Sequence, residues 1–571
     1  MLCLRFLLPV SVAVAAVMLC RPLAARAASD TTDRAKKFVA AHQAKLRPLE
    51  IAAARAWWDA NISGKDDDFK KKEESQNRVD EALADHDAFE KVKALKDHLK
   101  DIDDGITARC IEVLYLTYLE KQVDPALLKK MVAKSNAVEQ HFNVFRATVD
   151  GKKMTDNEVR HVLKQSKDSE QRKAVWEASK AVGSEIRDDL LDLVKLRNKA
   201  AVQLGFKNYH ELQLYLNEQS EKDVIKLFDE LDELTREPFK AAKAEIDAKL
   251  VKAYGIKEEE LMPWHYHDPF FQESPAVFSA SLDAPFEKAD IPAICRDFYA
   301  GIGLPIDDVL KRSDLYPKPG KSQHAFCTDI DRQGDVRVLA NIVKNNEWMA
   351  TMLHELGHSV YSSKNIPRSL PYTLRLESHI LTTEGVAMMF ERWSKYRPWL
   401  EKMGLKVEDP EAFDVTAAKM LRYQLLIFSR WCQVMLRFEK AMYEDPDQDL
   451  NKLWWDLVVR YQILKRPAGR DRPDYASKIH IVSAPVYYHN YMMGQLFASQ
   501  VHHAIARDVL KGADPNKVLY IGNKDVGEFM RKKVFAPGRT KTWNQLTEYA
   551  TGEKLNARAF AEDFKGKVAR R

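Results

Sequence analysis

Trp348-Met349-Ala350-Thr351-Met352-Leu353-His354-Glu355-Leu356-Gly357-His358-Ser359-Val360-Tyr361-Ser362 is the most informative stretch of the chain. Its apolar residues Trp348, Met349, Met352 and Leu353 recur at helical spacing, so residues 348–362 are expected to form a helix. Within it, His354 and His358 are four residues apart, which puts both imidazoles on one face, one turn apart, within reach of a single zinc ion. Glu355 is offset to the side, where it can take a proton from a water molecule. A His-Glu-x-x-His match arises by chance in roughly 2% of chains of this length. Two features lift this one above that background: the apolar pattern in front of it and a candidate third ligand behind it.

A catalytic zinc site uses three protein ligands and leaves a position open. Leu381-Thr382-Thr383-Glu384-Gly385-Val386-Ala387-Met388-Met389 places one acid in an otherwise apolar helix. A buried lone carboxylate is costly without a partner, and a metal would supply one. Glu377 is the alternative, with more polar neighbours. The residues alone favour Glu384 and leave Glu377 open.

Outward from this site the chain reads as helix after helix. It has 571 residues, only 21 glycines, 30% charged residues and aliphatic spacing of three and four almost throughout, which together predict a mainly α protein. Thr155 with Glu158 forms the pattern of a capping box. A helix is expected near Ser220, with Val224, Ile225, Leu227, Phe228 and Leu231 on one face. Pro263, Pro269, Pro275, Pro285 and Pro292 break helices in a segment rich in aromatics, which reads as ordered loop. Val336, Val338 and Ala340 alternate with Asp335, Arg337 and Leu339, the period of a short strand. The charge run Lys65 to Glu74 reads as a solvated surface. No repeat or Gly/Ser linker marks a boundary, so residues 28–571 are expected to be one domain.

The beginning of the chain has the parts of a leader peptide: Arg5, an apolar run from Phe6 to Cys20, and the small residues around Ala27. The run is shorter than the roughly 20 residues of a membrane span, so cleavage after Ala27 and export to a periplasmic or extracellular space are expected. Cleavage removes Arg5, Arg21 and Arg26 and lowers the formal net charge from +5 to +2. With both signs mixed along the chain, no nucleic-acid partner is expected, nor a membrane partner after cleavage. Cys110, Cys295, Cys327 and Cys432 remain, without the close spacing of a cysteine zinc site or a disulfide framework.

Further segments resemble the peptidyl-dipeptidase A family, to which angiotensin-converting enzyme belongs. Ala56-Trp57-Trp58-Asp59-Ala60-Asn61-Ile62 and Leu196-Arg197-Asn198-Lys199-Ala200-Ala201 are similar to segments of that family, as is Leu370-Pro371-Tyr372-Thr373-Leu374-Arg375. The family's glutamate ligand follows nine residues after this arginine, which implies Glu384. The pair His324-Ala325 is similar to one that binds the substrate backbone. Lys478-Ile479-His480 and Tyr488-His489-Asn490-Tyr491 resemble elements in which, by the resemblance, His480 and Tyr491 hydrogen-bond the substrate carbonyl. Lys478 and Tyr488 then hold the terminal carboxylate. One extra residue lies between His480 and the tyrosines, so Tyr487 competes with Tyr488. Val458 and Asn490 stand where the animal enzymes carry chloride-binding arginines, so chloride activation is not expected.

The resemblance implies a large helical peptidase with a deep cleft between two helical halves, a zinc helix and a small β element beside it. It implies one zinc ion, oligopeptide substrates, Glu355 as base and release of C-terminal dipeptides. An oligopeptidase or carboxypeptidase of related build is the alternative, and an inactive peptide-binding protein a more distant one. A free edge on the strand at 336–340 would let a peptide add as a further strand.

Overall fold

The computed structural model describes the backbone of residues 13–275, 277 and 281–564, with side chains from residue 30. The expected leader, residues 1–27, lies outside the residues described with side chains. The chain forms two compact units, Met1–Gln122 with Arg368–Arg375, and Val123–Pro367 with Leu376–Arg571. Among the described residues no helix is long and apolar enough to cross a membrane.

The first unit is helical: α1 (Ala13–Ser63), α2 (Asp66–Leu83), α3 (His86–Asp97) and α4 (Gly105–Leu119). Helices α1 and α2 meet through a two-residue turn in which Gly64 takes φ +66°, a conformation that favours glycine. The charge run falls on α2, whose buried residues are only Val79, Ala82 and Leu83. Residues 368–375 pack on α1, with Arg47 over the Tyr372 ring at 5.4 Å and Gln43 donating to Thr373 at 3.5 Å.

The second unit opens with α5 (Pro125–Val144), the hairpin strands β1 (Ala147–Val149) and β2 (Lys152–Met154), α6 (Asp156–Gln165), α7 (Ser169–Gln203), α8 (Tyr209–Leu216) and α9 (Glu221–Tyr254). The capping box forms as expected: Thr155 N–H donates to Glu158 at 2.8 Å, and Glu158 N–H donates to Thr155 Oγ1 at 3.3 Å. Ser220 caps α9. Val224, Leu227, Phe228 and Leu231 are buried there, while Ile225 is half-buried. The hairpin was not anticipated. Its signal is the Asp150-Gly151 turn, both residues at positive φ, the geometry a two-residue hairpin demands.

Next come α10 (Ile291–Gly301), α11 (Asp307–Arg312), β3 (Phe326–Asp329), β4 (Val336–Leu339), α12 (Asn346–Val360) and α13 (Ile380–Glu391). The remainder is α14 (Arg397–Lys402), α15 (Pro410–Glu444), α16 (Leu450–Gln462), α17 (Ile479–Ser483), α18 (His489–Asp508), α19 (Lys524–Phe529), α20 (Trp543–Thr551) and α21 (Arg558–Glu562). The protein is mainly α, with two separate two-stranded sheets among the described residues.

Strand β4 departs from the expected alternation, because Leu339 is as fully buried as Val336 and Val338; α11 and α12 both pack against this strand. Nor has β4 a free edge. It pairs with β3 on one side. On the other, Asp314 N–H donates to Val338 O at 3.0 Å and Ala340 N–H to Asp314 O at 2.9 Å. Among the described residues the open edge belongs to β3, where Ala325, Cys327 and Asp329 face away from β4 by the pairing register. Cys110, Cys295, Cys327 and Cys432 are free thiols.

Candidate metal centre

Helix α12 begins where Asn345 caps it, its side chain accepting from Trp348 N–H at 2.8 Å. Met349, Met352, Leu353, Leu356 and Val360 are buried and fix the helix against its neighbours, which aims His354 and His358 to one side. Their Nε2 atoms are 3.2 Å apart. Helix α13 delivers Glu384, whose Oε2 lies 3.6 Å from His354 Nε2. The ligand atoms of His354, His358 and Glu384 all lie within 4.8 Å of one another.

Close backbone approach makes this possible. A Cβ on Gly357 would sit 2.8 Å from Ala387 Cα of α13, and one on Gly385 would sit 2.7 Å from Gly494 O of α18. Helix α13 is therefore held between α12 and α18 at distances only glycine permits on those faces.

Both imidazoles are oriented from behind. His354 Nδ1 lies 2.7 Å from Glu391 Oε2, and an ionised carboxylate only accepts, so Nδ1 carries the proton. His358 Nδ1 lies 2.7 Å from Thr383 Oγ1. In the tautomer that donates both Nδ1–H groups outward, two Nε2 lone pairs and a carboxylate face one another, an arrangement that calls for a cation. Tetrahedral zinc with bonds of about 2.0–2.1 Å holds its ligand atoms about 3.3 Å apart, so the donor set fits that ion. Burial works to lower the His354 pKa, but the hydrogen bonds to Glu384 and Glu391 raise it well above its ordinary value. Burial and repulsion from His354 bring His358 down to about 4.

Glu355 is buried, and its carboxyl is pushed up to about 7 by that burial. It accepts a hydrogen bond from Cys327 N–H on the open edge of β3. Glu377 lies outside the metal group; burial raises it to about 7, with Asp329 and Arg332 as its charged neighbours. His324 is exposed and Ala325 half-buried on the turn that enters β3.

A second cluster gathers around Gln272. Lys478 Nζ donates to Gln272 Oε1 at 2.6 Å, and Tyr488 OH donates to the same oxygen at 3.4 Å. Burial lowers Lys478 to about 8. The geometry places Tyr488 beside Lys478, while Tyr487 hydrogen-bonds Tyr491 and stacks edge-on to it at 5.3 Å. His480 faces the Tyr488 ring at 5.0 Å; its Nδ1 is buried without a partner among the described residues, and burial brings its pKa to about 4. The turn ahead of the tyrosines is strained, since Val486 takes φ +56° and is held there by its N–H donating to Glu439 at 2.9 Å. Arg197 supports the same region through Val482 O at 2.7 Å.

A family model described as angiotensin-converting enzyme, Peptidase_M2, matches residues 29–266 and 289–568. The chain belongs to this family. It is 23% identical to angiotensin-converting enzyme of Mesocricetus auratus over 49% of the chain and 22% of that protein. It is 21% identical to the angiotensin-converting enzyme-like protein Ace3 of Mus musculus over 72% of the chain and 59% of that protein. With angiotensin-converting enzyme of Theromyzon tessulatum it shares 22% identity over 72% of the chain and 71% of that protein. The chain thus spans about a fifth of the first of these relatives and over half of the second.

For this member of the angiotensin-converting enzyme family, reasoning from sequence missed Gln272, Thr383, Glu391 and the packing glycines Gly357 and Gly385. Glu391 had a readable signal, being seven residues after Glu384 and so on the same helical face. Gln272 had none, because only the fold brings it to Lys478.

Proposed function

We propose that the protein is a zinc-dependent peptidyl-dipeptidase that cleaves C-terminal dipeptides from oligopeptides, with residues 1–27 as its cleaved export leader. The observation that carries this reading is the approach of His354, His358 and Glu384 to within 4.8 Å beside a carboxylate base and a separate lysine cluster. His354, His358 and Glu384 would hold the zinc. The ion's contribution when bound is Lewis acidity, which lowers the pKa of water towards about 7 and polarises a carbonyl.

The chain's own residues do the rest. Glu355 takes the proton from the attacking water at its carboxylate and returns it to the leaving amine. His480, neutral, and Tyr491 donate hydrogen bonds to the carbonyl oxygen as it becomes tetrahedral, where fixed donors count most. Lys478, Tyr488 and Gln272 hold the substrate's terminal carboxylate, which sets the cut one dipeptide from the end. The open edge of β3 at Ala325 pairs with the extended substrate backbone by strand addition, with His324 at its entrance.

Incubating a peptide of free C-terminus with the enzyme and weighing the products tests this. Dipeptides lost stepwise support it, and the same peptide with an amidated C-terminus should be a poor substrate. Release of single residues or of internal fragments would overturn it.

A further inference from the structure

A cavity of about 120 Å³ in the second unit lies among the turn after α13, helix α15 and residues 515–518. Three buried N–H donors on its wall have no acceptor among the described residues: Arg392 Nε, Trp393 Nε1 and Arg422 Nε. Trp393 is 6% exposed and Arg422 8%, so these donors have little recourse to bulk water. Unpaired buried donors are costly and uncommon. Three around one cavity call for a common explanation.

Both guanidinium groups are anchored through their Nη atoms. Arg392 donates through its Nη atoms to Gln495 at 2.8 Å, Ser499 at 3.2 Å and Asp563 at 3.3 Å. Arg422 donates through Nη1 to Glu245 at 3.3 Å. Both cations are thus anchored through Nη while, among the described residues, their Nε–H stays without an acceptor. His502, also on the wall, answers none of these donors, since its ring nitrogens are bonded to Tyr520 OH and Pro515 O. The remaining wall is largely apolar, including Met389, Leu421, Leu425, Val518 and Phe564, and its one carboxylate among the described residues, Asp563, is taken up by Arg392, Ser499 and His503. Water would satisfy the donors but not that surface. A ligand matching both has acceptor oxygens and no donors at one end and a hydrocarbon body at the other.

We infer that this cavity is a binding site for a small organic carboxylate, its oxygens taken by Arg392, Trp393 and Arg422 and its apolar body by the aliphatic wall. Arg392 directly follows Glu391, whose carboxylate holds His354 Nδ1. The site therefore adjoins the residue that orients one of the metal-centre histidines, without being part of that centre.

Isothermal titration of the full chain with phenylacetate and with hexanoate tests this, with phenylacetamide and hexanol as neutral counterparts. Saturable binding of an acid is expected, at least tenfold tighter than its neutral counterpart. Trp393→Phe, which keeps an aromatic ring and removes the N–H, and Arg422→Gln should each raise Kd about tenfold or more, the scale of a hydrogen bond to a charged group. Melting curves identify the variants that remain folded. The inference fails if neither acid binds saturably, if acid and neutral counterpart bind alike, or if every folded variant keeps the parent Kd.

Discussion

Gly357→Ala is the substitution that tests the construction of the metal centre most directly. The new Cβ would meet Ala387 Cα at 2.8 Å, Ala387 N at 3.3 Å and Phe390 Cδ2 at 3.4 Å. Carbon atoms in contact prefer about 3.5–4.0 Å, so α12 and α13 must separate by roughly 0.7 Å or more. The nearest obstruction is backbone, which no rotamer change relieves. Ala387 is three residues beyond Glu384, so the shift carries that carboxylate away from His354, beyond the roughly 0.2 Å tolerance of a metal–ligand distance. The expected outcome is a loss of zinc affinity of about 10- to 100-fold, with about 1–3 kcal/mol of destabilisation from overpacking. Zinc content after gel filtration and competition against a chelator measure the first, and denaturant melts the second. Gly105→Ala is the control: nothing lies within 4 Å of a Cβ there, so stability should hold or rise by a few tenths of a kcal/mol. A Gly357→Ala protein that binds zinc as tightly as the parent would refute the reasoning.

Three further outcomes are expected. Glu384→Ala should lose most bound zinc while Glu377→Ala keeps it; metal analysis showing the reverse would return Glu377 to the ligand set. Thr383→Val, which removes the partner of His358 Nδ1, should weaken zinc about tenfold or more, and an unchanged chelator titration would show that this bond orients nothing. With Lys478 lowered to about 8 by burial, the cation proposed to receive the substrate carboxylate is lost as pH rises through that value. On this basis kcat/KM should fall about tenfold per pH unit above it, and Lys478→Arg, which stays charged, should lack that limb; a limb that persists in the variant belongs to another group.

The helical class and the helix carrying His354 and His358 could be read along the chain because both are local. The spacing of His354 and His358 fixes their common face whatever surrounds them, and the Thr155 cap depends on a residue only three positions away. Leu339 and the hairpin at 147–154 were misread or missed: the burial of the first depends on what covers the strand, and the second is too short for periodicity to register. The choice between Glu384 and Glu377 stayed open in the residues alone, since both are single carboxylates a short distance past the histidines. Proximity to His354 separates them, and it depends on how closely α13 approaches α12.

By itself, then, the sequence determined a helical chain with two imidazoles and a carboxylate arranged for a metal. Tertiary structure alone decided which glycines let α13 lie between α12 and α18, which tyrosine stands beside Lys478, and that Gln272 joins them. Those facts concern backbones and side chains far apart in the chain, and neither helical periodicity nor local hydrogen bonding carries information across such separations.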